Sequence, residues 1–184
     1  MTDQTSNLPY TLGPDDRVLP MMVYTANMLA RGEMILKQSI RMGTWFRSAT
    51  SADYLRLYRA TVLLLSGPTP QVISLTEFLI PALPILAAHV TPPTQEPPDY
   101  DASEPNRKLV GITALFGPFR VIAKLRISAS TNIGAHLNTS KETFQSVYDA
   151  EINSTAIPNM GIVRTSLMIL RPAAVAFSPR ELAE

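Results

Sequence analysis

The sequence predicts a mainly β protein: two tandem small five-stranded barrels, each with the element order β-β-α-β-β-β, joined by a proline-rich linker. Three observations carry this prediction. The stretches ADYLRLYRATV (52–62) and ETFQSVYDAEI (142–152) repeat a Tyr-x-Ala motif ninety positions apart, counted from Tyr58 to Tyr148. Between them, TPPTQEPPDYDASEP (91–105) holds five prolines and four acids, too little apolar surface to order a core of its own. On either side of that segment, apolar and polar residues alternate with period two, as half-buried strands do. The predicted organisation is an N-terminal extension over 1–19, a first repeat over 20–90, a linker over 91–106, a second repeat over 107–178 and a tail over 179–184.

Each repeat opens on a short β-rich run, MMVYTANM or LVGITALF, in which Tyr24-Thr25-Ala26 is matched with Ile112-Thr113-Ala114. A second strand follows. In the first repeat Met34, Leu36 and Ile40 alternate with Glu33, Lys37, Ser39 and Arg41; in the second Val121, Ala123, Leu125 and Ile127 alternate with Arg120, Lys124 and Arg126. Helix starts are expected at Thr50 with Asp53 and at Thr139 with Glu142, a Ser/Thr-x-x-acid spacing that satisfies the orphan amides of a helix N-terminus. Tyr54 and Phe144 then anchor each short helix to its barrel. The Tyr-x-Ala strand comes next, followed by two further β-rich runs, VISLTEFLI with PILAAHV and GIVRTSLMIL with PAAVAF. Pro84 and Pro172 precede the final run of each repeat, a position tolerated at a strand start or edge. The linker is expected to be extended and exposed, because proline restricts both itself and its predecessor.

Closing five short strands into a barrel removes the unpaired edges that a small open sheet leaves. In this element order each repeat resembles the Sm-like and SH3-like small β-barrel domains, here duplicated in tandem. It differs from the Sm pattern in placing its helix between the second and third strands. Bacterial proteins built from such barrels are the nearer likeness. The resemblance implies a barrel fold and brings no particular chemistry.

Composition narrows the function classes. The chain of 184 residues is 46% hydrophobic and 17% charged with a net charge of +1, the profile of a soluble globular protein. There is no cysteine, so disulfides, thiolate metal sites and cysteine nucleophiles are excluded and a cytoplasmic location is the expectation. The N-terminus lacks the basic start and apolar stretch of a secretory signal. The most apolar run, residues 78–90, holds two prolines in its 13 positions, short of the roughly 20 residues of a membrane-spanning helix, and is read as buried strands with no membrane insertion. Charge is unevenly spread: 20–90 carries six bases and three acids, 107–178 eight and three, and 91–106 four acids without a base.

No catalytic constellation emerges, and the chain is expected to be non-enzymatic and without a cofactor. The two histidines, His89 in an apolar run and His136 in a predicted loop, occupy unmatched places. Asp149 and Glu151 form a carboxylate pair on one strand face, which a solvated surface explains as readily as acid-base chemistry. The eight glycines form no phosphate-binding loop, and the histidines and carboxylates have no metal-ligand spacing.

Two surfaces remain. The loop GTWFRSATS places the single tryptophan, Trp45, beside Phe46 and Arg47, residue types enriched at interface hot spots. The last two runs of each repeat, 72–90 and 161–177, hold more apolar residues than one inward face uses. They need a neighbour: the other repeat across an internal pseudo-twofold, or a second chain. Trp45, Phe46, Arg47, Leu79 and Leu167 are therefore candidate partner contacts, and the function expected is an interaction or assembly module. The alternative is a nucleic-acid-binding protein using the basic strand faces, Lys37 and Arg41 in one repeat and Arg120, Lys124 and Arg126 in the other, with Trp45, Phe46 or Phe119 stacking on bases.

Overall fold

Period-two alternation does build the strands, in the order read from the sequence. In the computed structural model, which describes residues 8–48 and 53–181, the first repeat consists of β1 (Asp16–Tyr24), β2 (Met28–Lys37), α1 (Met42–Ser48), β3 (Tyr54–Leu64), β4 (Gln71–Pro81) and β5 (Ala87–Val90). The second consists of β6 (Arg107–Phe116), β7 (Phe119–Ser128), α2 (Ile133–Thr139), β8 (Gln145–Ser154), β9 (Val163–Leu170) and β10 (Ala176–Arg180), with short 3-10 turns at Pro158–Met160 and Pro172–Ala174. The outer limits are wider than expected, since β1 starts inside the presumed extension and β10 runs two residues past 178. No helix among the described residues is long and apolar enough to cross a membrane.

Both helices lie one segment earlier than the capping spacing predicts. Thr139 ends α2 instead of starting a helix, its hydroxyl donating back to the Ala135 carbonyl at 2.8 Å. The acting N-cap is Asn132, whose side chain accepts from the Ala135 amide. Thr50 lies outside the described residues. The stretch GTWFRSATS is not a loop over its described part, because Gly43–Ser48 belong to α1. The residues read as the anchored ends of helices belong to the following strands or their approach: Tyr54 opens β3, and Phe144 is buried just before β8. Ser39, Ile40 and Arg41 follow β2 and do not extend it.

The two repeats do not close as separate barrels. The ten strands among the described residues form one open antiparallel sheet, ordered β10-β6-β7-β8-β9-β5-β1-β2-β3-β4. Within it each repeat keeps one internal order: its fifth strand pairs its first, followed by second, third and fourth. The fourth strand of the second repeat, β9, takes the fifth strand of the first, β5, as its neighbour, with Ala87 opposite Leu170, Ala88 opposite Ile169 and His89 opposite Met168. Unlike strands meet at this seam, so no pseudo-twofold relates the halves; a twofold would place the same strand on both sides.

Ladder registers give the residue equivalences. Val23 faces Ala30 as Ala114 faces Val121, which makes Tyr24 the counterpart of Leu115 and shifts the Tyr24/Ile112 alignment by three positions. The Tyr-x-Ala repeat marks a β-bulge in both copies. Arg59 and Asp149 each have φ 50°, and each is the extra residue where the third strand slips against the second, between Arg31 and Glu33 in one repeat and between Ile122 and Lys124 in the other. The bulge bends β3 onto Gly32, where an added Cβ would lie 3.0 Å from the Tyr58 carbonyl oxygen. The side chains across it reproduce one ion pair with its signs exchanged: Arg59 on Glu33, and Asp149 on Lys124.

Two apolar clusters form the core, and the seam strands feed both. Leu19, Met21 and Val23 of β1, Ala88 and Val90 of β5, and Leu167 and Ile169 of β9 pack with α1 and β2–β3. The alternate residues Tyr24, Ala87, Met168 and Leu170 pack with β6–β8. Successive strand residues point to opposite faces, so each face of the seam carries the core of a different repeat. That is why β5 is buried at all four positions, the continuous pattern of a strand covered on both sides.

Candidate functional site

The linker has no strand or helix, but it is not a free spacer. It crosses the seam and is held by two of its acids. Glu96 is buried, pairs with Arg17 and accepts from the Met42 amide at 3.0 Å, so it caps α1 from a distance. Ser166 of β9 donates to the Glu96 backbone carbonyl at 2.9 Å. Half-buried Asp99 accepts from Arg47 of α1 at 2.9 Å and from Ser146 and Tyr148 of β8 at 2.9 and 2.7 Å. Burial pushes the Asp99 carboxyl up, but these donors outweigh it and hold the group below the usual carboxylate range. Burial and the neighbouring Asp99 push the Tyr148 hydroxyl up. Beyond Asp99, Tyr100 packs edge-on to Tyr148 and under the Arg126 guanidinium, 4.7 Å from the ring centre. Sequence reasoning missed these contacts; four acids without a base among the linker prolines, between two mildly basic repeats, were the one signal of the pinning.

The candidate partner contacts scatter. Arg47 is used by Asp99. Phe46 is buried in the core and meets Phe144 edge-on at 5.1 Å, while Trp45 is half-buried against Phe46. Leu167 is 2% exposed, inside the seam. Only Leu79 faces water, 46% exposed on β4.

The basic residues are no more united. Lys37 pairs with Asp16, Lys124 with Asp149 and Arg126 with Glu104, while Arg41 donates to the Pro98 carbonyl. Arg120 is exposed without a carboxylate partner among the described residues. Strands β2 and β7 are five ladder steps apart in the sheet, roughly 24 Å at about 4.8 Å per step, so the rows do not merge. Of the three expected stacking residues, Phe46 and Phe119 are buried and Trp45 is half-buried.

His89 is fully buried in β5, its Nδ1 donating to the Val90 carbonyl and its Nε2 accepting from the Tyr24 hydroxyl at 2.9 Å. Burial depresses its pKa to about 4, so it is a neutral structural residue at ordinary pH. His136 is within α2, not a loop, with its Nε2 2.9 Å from the Gln145 amide nitrogen. Asp149 and Glu151 are taken by Lys124 and Arg164.

Among the described residues, what remains open is the sheet's two edges. β4 is 11 residues long, bonded on one side only, and exposes Val72, Ile73 and Leu79 with Glu77 as its single charge. Natural edges are usually blunted by lysine, interior proline or shortness; β4 has its one proline at its last residue. β10 is short, five residues, and carries Pro179 and Arg180. No protein-family model matches the chain, and neither a curated protein nor a solved structure is found to match it.

Proposed function

We propose that the chain is a non-enzymatic interaction and assembly module acting through the open edges of its sheet. The observation that supports this is β4, whose counterpart in the second repeat, β9, has β5 paired along its end, at Met168, Ile169 and Leu170. In this reading each repeat is a small barrel-like unit left open between its fourth and fifth strands, so that pairing with another unit replaces internal closure. It acts without a cofactor and in the cytoplasm, the support for the latter being the cysteine-free sequence. Light scattering across a range of concentrations tests it: the chain assembles, and Leu79→Asp, which sets a charge on the bare edge, returns it to monomer. A chain monomeric at all concentrations and indifferent to Leu79→Asp would overturn the reading. Tight, salt-sensitive association with an oligonucleotide, lost when Lys37, Arg41, Lys124 and Arg126 are neutralised, would favour the nucleic-acid alternative.

A further inference from the structure

The internal seam joins the fourth strand of one repeat to the fifth strand of the other, and the two strands left unpaired are the fourth of the first repeat and the fifth of the second. The molecule therefore ends on one side with the strand type that its seam accepts and on the other with the strand type that its seam offers. Register carries this down to single residues. Across β3–β4, Tyr58 faces Glu77 as Tyr148 faces Leu167 across β8–β9, so Phe78, Leu79 and Ile80 stand where Met168, Ile169 and Leu170 stand. Across β1–β5, Val23 faces Ala88 as Ala114 faces Phe177 across β6–β10, so Ala176, Phe177 and Ser178 stand where Ala87, Ala88 and His89 stand.

We propose, resting on the assembly reading above, that copies of this chain join head to tail, β4 of one pairing antiparallel with β10 of the next in the register of the internal seam. Ile80 then faces Ala176, Leu79 faces Phe177 and Phe78 faces Ser178. The contact covers the half-exposed Leu79 and gives each bare strand the hydrogen-bonding partner it lacks. Pro179, which has no amide hydrogen, falls one residue beyond the three that pair, as Val90 falls beyond the three seam pairs of β5. The partner is a second copy because no other strand is required to explain either edge, and the same two strands already meet inside the chain. Such a contact is heterologous, so it propagates into a ring or a filament and does not stop at a twofold dimer.

The outer junction is weaker than the seam. Arg171 clasps the seam by donating to the Ile85 and Ala82 carbonyls while lying over the Phe144 ring, and the equivalent position beside β4 is Pro81. Assembly is thus reversible on dilution, whereas the seam is part of the fold.

The absence of cysteine makes the register directly testable. Leu79→Cys and Phe177→Cys chains, treated separately and mixed with a short bifunctional thiol crosslinker, are resolved by denaturing gel. The mixture gives covalent dimers of unlike chains, each variant alone gives none above background, and the double variant gives a ladder of multimers. A second pair, Phe78→Cys with Ser178→Cys, leaves the Leu79 and Phe177 side chains in place and gives the same result. Circular dichroism confirms that each variant keeps its strand content. Crosslinking of Leu79→Cys to itself would overturn head-to-tail pairing in favour of a twofold β4 contact. Assembly in light scattering with no crosslink in either mixture would overturn it while leaving the assembly reading standing; a monomer under all conditions removes both.

Discussion

β4 and β9 are the same strand in two settings. The end of β9 is paired by β5 at Met168 to Leu170, and its last four residues, Leu167 to Leu170, are all buried; the equivalent stretch of β4, from Glu77, has only Ile80 buried. The difference lies in the neighbour. It also runs into composition at one position, where the seam has Leu167 and the edge has Glu77 paired with Arg56. An acid is tolerable only where water reaches it.

The largest effect follows from exchanging chemistry at that position. Leu167→Asp places an unpaired charge inside the first core cluster and lowers stability by more than about 4 kcal/mol, or prevents folding, in urea denaturation. Glu77→Leu, the reciprocal change on the bare edge, shifts stability by no more than about 0.5 kcal/mol and strengthens assembly in light scattering. Equal destabilisation by the two would break the comparison.

His89 sharpens it at the seam itself, since its counterpart on β10 is Ser178, which does not titrate. The folded pKa of about 4 lies below the ordinary 6.5 because burial penalises the imidazolium. Between those values the unfolded chain binds a proton that the folded chain refuses, so stability is complete above pH 6.5, falls as the pH drops and levels off below about 4. The span amounts to about 3 kcal/mol. Denaturation midpoints at pH 7 and 5 should separate in the native chain and converge in His89→Gln. The carboxylates held below their usual range, Asp16, Asp99, Asp101 and Glu104, lose their contribution at lower pH and leave this window to the histidine.

The smallest effect tests the bulges. Glu33→Lys together with Arg59→Asp writes the second repeat's ion pair into the first. The double variant should lose no more than about 1 kcal/mol, because the pair itself is worth little, Asp accepts a positive φ better than Arg does, and the Tyr10 hydroxyl bond to Glu33 is the one contact given up. A loss well beyond that in thermal melts would show that the two bulges are not interchangeable.

Much of the fold was legible because strands announce themselves locally. The alternation in RVIAKLRIS predicted β7, and the paired Tyr-x-Ala predicted two matching strands, though not that x is a left-handed bulge residue. The helices were misplaced because Thr139 and Glu142 satisfy a capping spacing at the end of α2, where the hydroxyl bonds backward into the preceding turn. Of the candidate contacts, Leu79 and Leu167 both read as apolar residues with nowhere to go. Their fates differ because one β4-type strand found β5 and the other did not.

By itself the sequence determined the duplication, the order of elements within each repeat, and the surplus of apolar residues in the last two runs. All three depend on residues near one another in the chain, where period-two patterning and turn chemistry act. Only the tertiary structure decided that the repeats share one sheet, that β5 and the last four residues of β9 are buried on both faces, and that Glu96 and Asp99 pin the linker across the seam. Those outcomes depend on which strand lies beside which, and backbone hydrogen bonds join any two strands alike. The choice fell to long-range packing of two cores on opposite faces, which no local pattern encodes.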